Sequence, residues 1–189
     1  MANVDLFQMI NAQAVPAWQL AAAIGIAQWL IYLVPTSIVT AWILGDHSTR
    51  RELLELLLAA GAALALAQLV AAVWPQPRPF VLHLGTQWLA HSPDPGLPSD
   101  HVTVFWSLGL AALGTRRVRR WGAVLLAAGL AVGWSRVFLG VHFPYDILAA
   151  LPVSLAGALF ARALRRPLGP AYRWLLDRWD DVPRPPMLR

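Results

Sequence analysis

The chain has 189 residues, of which 58% are hydrophobic and 13% charged. Soluble domains carry roughly 25% charged residues, so this balance excludes an ordinary soluble protein and points to an integral membrane protein of a single domain, 1–189, without internal repeats. It has no cysteine, which excludes a disulfide framework and a thiolate metal site, and its net charge of +5 comes from arginines, which in this class report on topology rather than on nucleic acid.

Residues 1–17 hold Asp5 and no base, so they lack the positive start of a signal peptide, and the first apolar run is expected to be retained. Within this outer interfacial segment, 4–10 predicts a short helix on the membrane surface. Residues 18–44 are free of charge and long enough, at about 1.5 Å per residue, to cross a core about 30 Å thick, with a kink expected at Pro35. A polar turn, 45–52, leads to a second span, 53–74, in which Glu55 lies near enough to the end to reach the interface. The loop 75–98 is long and rich in proline and histidine, a composition and length associated with function, and 80–90 predicts an interfacial helix within it.

Three further spans are expected at 99–115, 121–139 and 144–164. Pro144 suits a first helical turn, whereas Pro152 should kink the interior. The tail 165–189 predicts an amphipathic helix around Tyr172, Trp174, Leu175, Leu176 and Trp179, followed by a disordered end from Pro183 to Pro186. The expected fold is therefore an all-α bundle of about five transmembrane helices with short interfacial helices.

With five spans, thirteen of the fifteen arginines fall on one side: Arg50, Arg51, Arg116, Arg117, Arg119, Arg120 and all seven from Arg162 onward. By the positive-inside rule that side is cytoplasmic, which puts the N-terminus outside and the C-terminus in the cytoplasm. Only Arg78 and Arg136 lie on the other side. Placed against the charge bias, these two are better read as binding an anion than as orienting the protein.

The same outer face collects the ionisable groups: Arg78, Ser99, Asp100, His101, Ser135, Arg136, His142 and Asp146. Charged groups at the ends of apolar spans are costly and mark function. Ser99 suits an N-cap, and the α-helix start it would open offers free N–H groups to a phosphate. The arginines supply forked donors matched to phosphoryl oxygens. His142 and Asp146 are spaced i, i+4, so the carboxylate can hold one ring nitrogen and leave the other as a nucleophile. His101 is then the natural acid and base. Asp100 can cap the helix start, tune His101 or contact substrate. His47, His83 and His91 read as interfacial polar residues, and the ten tryptophans as membrane-belt anchors.

In this order and spacing the residues resemble the signature of the type-2 phosphatidic acid phosphatase superfamily: Lys-x6-Arg-Pro, Pro-Ser-Gly-His and Ser-Arg-x5-His-x3-Asp. Arg78 and Pro79 match the end of the first part, Pro98, Ser99 and His101 the second, and Ser135, Arg136, His142 and Asp146 the whole third. Ala71 stands where the lysine would be and Asp100 where the glycine would be. With both departures the chain is similar to the bacitracin-resistance branch of undecaprenyl-diphosphate phosphatases.

The resemblance implies hydrolysis of a polyprenyl diphosphate lipid to its monophosphate at the outer face of a bacterial cytoplasmic membrane, in recycling of the carrier for cell-wall synthesis. It implies a phosphohistidine on His142, His101 as acid and then base, and Arg78, Ser99, Ser135 and Arg136 on the phosphoryl oxygens. No cofactor, metal or nucleic-acid partner is expected; membrane lipids are. Other members act on phosphatidylglycerophosphate or phosphatidate or transfer the phosphoryl group to another lipid. A transporter is the rival from another class, but it should carry polar residues at several depths, whereas here they gather at one end.

Overall fold

The computed structural model describes residues 2–182, and all regular structure in them is helical. Seven α-helices follow in order: α1 Ala2–Ile10, α2 Ala17–Leu44, α3 His47–Val73, α4 Asp100–Leu113, α5 Arg119–Phe138, α6 Pro144–Leu164 and α7 Gly169–Asp180. The expected disordered end, Pro183 to Pro186, lies outside the described residues. Four helices, α2, α3, α5 and α6, are long and apolar enough to cross a membrane. The remaining expected span, α4, has 14 residues and covers only about 21 Å.

α4 lies at the centre, packed against α3, α5 and α6. Its Val102, Phe105, Trp106, Leu108 and Ala112 are buried, and from α3 Leu53 and Leu56 join the same core. Lipid supplies no hydrophobic drive between helices, so small residues that let backbones approach matter most. Gly157 of α6 is such a contact, since a Cβ there would meet the Ala59 carbonyl oxygen of α3 at 2.5 Å.

Both interior prolines, Pro35 and Pro152, lie within unbroken helices. Near Pro35 the Thr36, Ser37 and Thr40 hydroxyls donate to carbonyls of the preceding turn of their own helix, which is how hydroxyls help satisfy a proline-containing span. Pro144 is the first residue of α6, as its preset φ favours.

One expectation needs correction. Residues 80–90 do not form a helix: only Pro79–Leu82 makes a 3₁₀ turn, ended by His83 in the left-handed region. The rest is held by long-range bonds, with Asn11 accepting from Thr86 N at 2.7 Å and donating to Thr86 O and Phe138 O at 3.0 and 3.1 Å. α1 forms where a short helix is expected and is tied to the bundle through Phe7, which is fully buried and stacks edge-on against Phe143 at 5.3 Å. α7 likewise docks on the bundle, burying Tyr172 and Leu176, with Trp179 edge-on to Trp42 of α2.

Candidate active site

The turn between α5 and α6 carries the nucleophile candidate, and its shape is forced locally. Gly140 has φ of 79°, and a Cβ there would strike Thr86 O at 2.2 Å. Only glycine meets both demands. Val141 N then donates back to Arg136 O at 3.0 Å, closing the turn and bringing His142 under the end of α5.

His142 precedes α6 rather than lying on it, so the expected pair on one helical face is instead a bridge across the helix start. Asp146 Oδ2 accepts from Phe143 N at 2.9 Å, capping α6, and from His142 Nδ1 at 3.2 Å. The Asp146 carbonyl accepts from Ser99 N at 3.1 Å, which ties α4 to α6 at the same point.

On the other side of the ring, Arg78 Nη1 lies 2.9 Å from His142 Nε2. A guanidinium only donates, so Nε2 carries the lone pair and Nδ1 the proton given to Asp146. Burial, and then the charges of Arg136 and Arg78, hold the His142 imidazole well below its ordinary range. The ring therefore stands neutral, with its nucleophilic nitrogen turned toward an arginine. Arg78 is itself fixed by Asp94, whose carbonyl and Oδ1 accept from Nε at 2.9 and 3.2 Å, and by Val141 O at 3.0 Å.

The remaining candidates complete a cradle that is only partly satisfied. Ser99 Oγ and Arg136 Nε are buried without a hydrogen-bond partner among the described residues. Each such group costs about 1–3 kcal/mol, and a cluster of them needs a reason, which a bound anion would supply. Ser99 begins α4 as expected but makes no side-chain cap. Ser135 differs from expectation, because its hydroxyl already donates to Val132 O at 2.7 Å. Asp100 accepts from Gln68 Nε2 of α3 at 3.1 and 3.2 Å, so its partner is a neighbouring helix. His101, half-buried, lines a cavity of about 310 Å³ with Arg136 and His91.

His91 reads from sequence as an interfacial residue, yet its Nε2 sits 2.6 Å from Arg136 Nη2 and its ring 6.2 Å from that of His142. Burial, and then Arg78, lower its pKa, so it accepts from Arg136 as a neutral ring. The available signal was local: a His-x2-Asp in which Asp94 is flanked by Pro93 and Pro95, within a loop already marked by its length. Among the described residues no group of three or more His, Cys, Asp or Glu is placed to hold a metal ion.

The family model of the PAP2 superfamily matches residues 52–169. The chain is 35% identical over 182 residues to YbjG of Escherichia coli (strain K12), provisionally assigned as an undecaprenyl-diphosphatase, covering 95% of this chain and 91% of that one. It is 32% identical over 138 residues to the undecaprenyl-diphosphatase BcrC of Bacillus subtilis (strain 168), covering 72% and 70%. The crystal structure of Aquifex aeolicus LpxE superposes with a TM-score of 0.70 at 20% identity, over 86% of this chain and 96% of that one. At that identity the last likeness is one of fold.

Proposed function

This chain belongs to the PAP2 superfamily and is a phosphatase-type membrane enzyme, and from that premise we propose that it hydrolyses undecaprenyl diphosphate to undecaprenyl phosphate and phosphate. The observation that carries the reading is His142: its Nδ1 is held by Asp146 and its Nε2 lone pair lies 2.9 Å from Arg78, beside buried donors without partners.

The chemistry follows from that placement. Phosphoryl oxygens take over the Nη1 hydrogen bond of Arg78 and free Nε2, which attacks the terminal phosphorus. The bond to the bridging oxygen breaks with its electron pair, and His101 donates a proton to the departing lipid phosphate. Water then attacks the phosphohistidine, His101 takes its proton, and the N–P electron pair returns to Nε2. Arg78, Arg136 and Ser99 stabilise charge on the phosphoryl oxygens; Ser135 joins them by turning its hydroxyl from Val132. Asp146 keeps the tautomer and steadies the imidazolium character that develops.

The site faces outward from a bacterial cytoplasmic membrane in this reading, since among the described residues Arg78 and Arg136 are the only arginines at its end of the bundle while Arg50, Arg51, Arg116, Arg117, Arg119 and Arg120 stand at the other. Phosphate release by the purified protein, measured with undecaprenyl diphosphate, phosphatidate and phosphatidylglycerophosphate in turn, tests the substrate. The diphosphate should give the highest kcat/KM. Preference for either glycerolipid would assign the site to that monoester instead.

A further inference from the structure

α2 holds an amide that the signature does not include. Gln28 lies about 16 Å along the axis from Ala17, inside the membrane-length run. The hydroxyls of Thr36, Ser37 and Thr40 in this helix are satisfied by its own carbonyls, but the Gln28 amide makes no hydrogen bond among the described residues and lines the cavity shared by His91, His101 and Arg136. Gln28 is exposed, so its amide is free to meet a ligand that enters this cavity.

The geometry of the proposed reaction says which ligand. The leaving oxygen must face the acid, His101, so the part of the substrate beyond that oxygen lies on the His101 side of the cradle. That side is this cavity, and at about 310 Å³ it is larger than one phosphate needs. Its walls pair Arg136, whose Nε is buried without a partner, with the two N–H donors of Gln28. The rest of its α2 wall is apolar and leads to the exposed ring pair Trp29 and Tyr32, 5.9 Å apart, where a lipid chain can leave for the bilayer.

Resting on the function proposed above, we propose that Gln28 and Arg136 bind the lipid-proximal phosphate of a diphosphate in this cavity, which makes Gln28 a specificity residue for diphosphate over monoester. His91 is a positioning residue there, holding Arg136 by its Nη2.

The test is Gln28→Met, which keeps side-chain length and suits a membrane helix. Purified wild type and variant are compared in kcat/KM for a polyprenyl diphosphate and for the matching polyprenyl monophosphate. Inhibition of monophosphate hydrolysis by inorganic pyrophosphate and by phosphate is measured alongside. The ratio of diphosphate to monophosphate kcat/KM should fall about tenfold, the size expected for hydrogen bonds to a charged group. The advantage of pyrophosphate over phosphate as inhibitor should shrink similarly. Either quantity unchanged from wild type overturns the cavity assignment while leaving the proposed substrate standing. A wild-type protein without diphosphate preference overturns that substrate and the cavity assignment together.

Discussion

The two ends of the bundle both bury charged groups, but they treat them differently. At the arginine end the charges are met by opposite ones: Arg165 and Arg51 lie 3.0 and 3.7 Å from Glu55, Arg117 lies 3.2 Å from Asp46, and His47 pairs with Asp180. Glu52, buried there, accepts from the backbone N–H groups of Arg116, Arg117 and Val118 at 2.9–3.2 Å. At the histidine end Arg136 makes no ion pair among the described residues and rests against a neutral imidazole. The contrast lies in charge rather than in hydrogen bonding, since Arg51 Nε, Glu55 Oε1 and Tyr172 OH at the arginine end are also buried without a hydrogen-bond partner among the described residues, yet Arg51 and Glu55 stand in ion pairs. Buried positive charge without a carboxylate partner, at Arg136, is thus what sets the histidine end apart.

The sharpest break between the ends should come from His142→Ala, which removes the atom that would carry the phosphoryl group and should reduce turnover of every substrate to background. His101→Ala should differ. A monoester expels an alkoxide and needs the proton, whereas a diphosphate expels an already stable phosphate. Loss should therefore be greater for the monoester, within the roughly 10²- to 10⁴-fold range of general acid help, and rapid-quench labelling with a diphosphate should trap phosphate on His142. Equal losses without a trapped intermediate would reverse the two roles or remove them.

Sidedness separates the ends without touching catalysis. A cysteine at the exposed Ser92, beside the site, should react with an impermeant thiol reagent applied to intact cells, and one at the exposed Arg120 only after the membrane is opened. Labelling of both from outside, or of Arg120 alone, would invert the assigned orientation.

The smallest effect should come from the arginine end. Glu52→Ala leaves three backbone donors without their acceptor, which should cost about 2 kcal/mol and lower the Tm by about 4–8 °C. The kcat of the molecules that remain folded should stay within about twofold of wild type, and a large fall in kcat with an unchanged Tm would show that this end takes part in the reaction.

Much of the molecule could be read in the chain alone. Apolar run length and proline placement located the long helices, and α6 spans Pro144–Leu164 as expected. These signals are local, because a helix satisfies its own backbone wherever it lies in a membrane. His101, Arg136, His142 and Asp146 were legible for a related reason: each sits at or beside a helix end, so the order of the spans already brings them to one side.

Tertiary structure alone decided the rest. Asn11 is 75 residues from Thr86 and 127 from Phe138, yet joins both. His91 comes from a loop without periodicity, Gln28 from a helix outside the signature, and Glu52 serves a loop 64–66 residues away. Hydrogen bonds between irregular segments leave no repeat in a sequence. The tautomer of His142 depended on Arg78 as well, 64 residues distant. The spans and their order therefore follow from composition and periodicity, while the partners of each polar group follow from the way the helices pack.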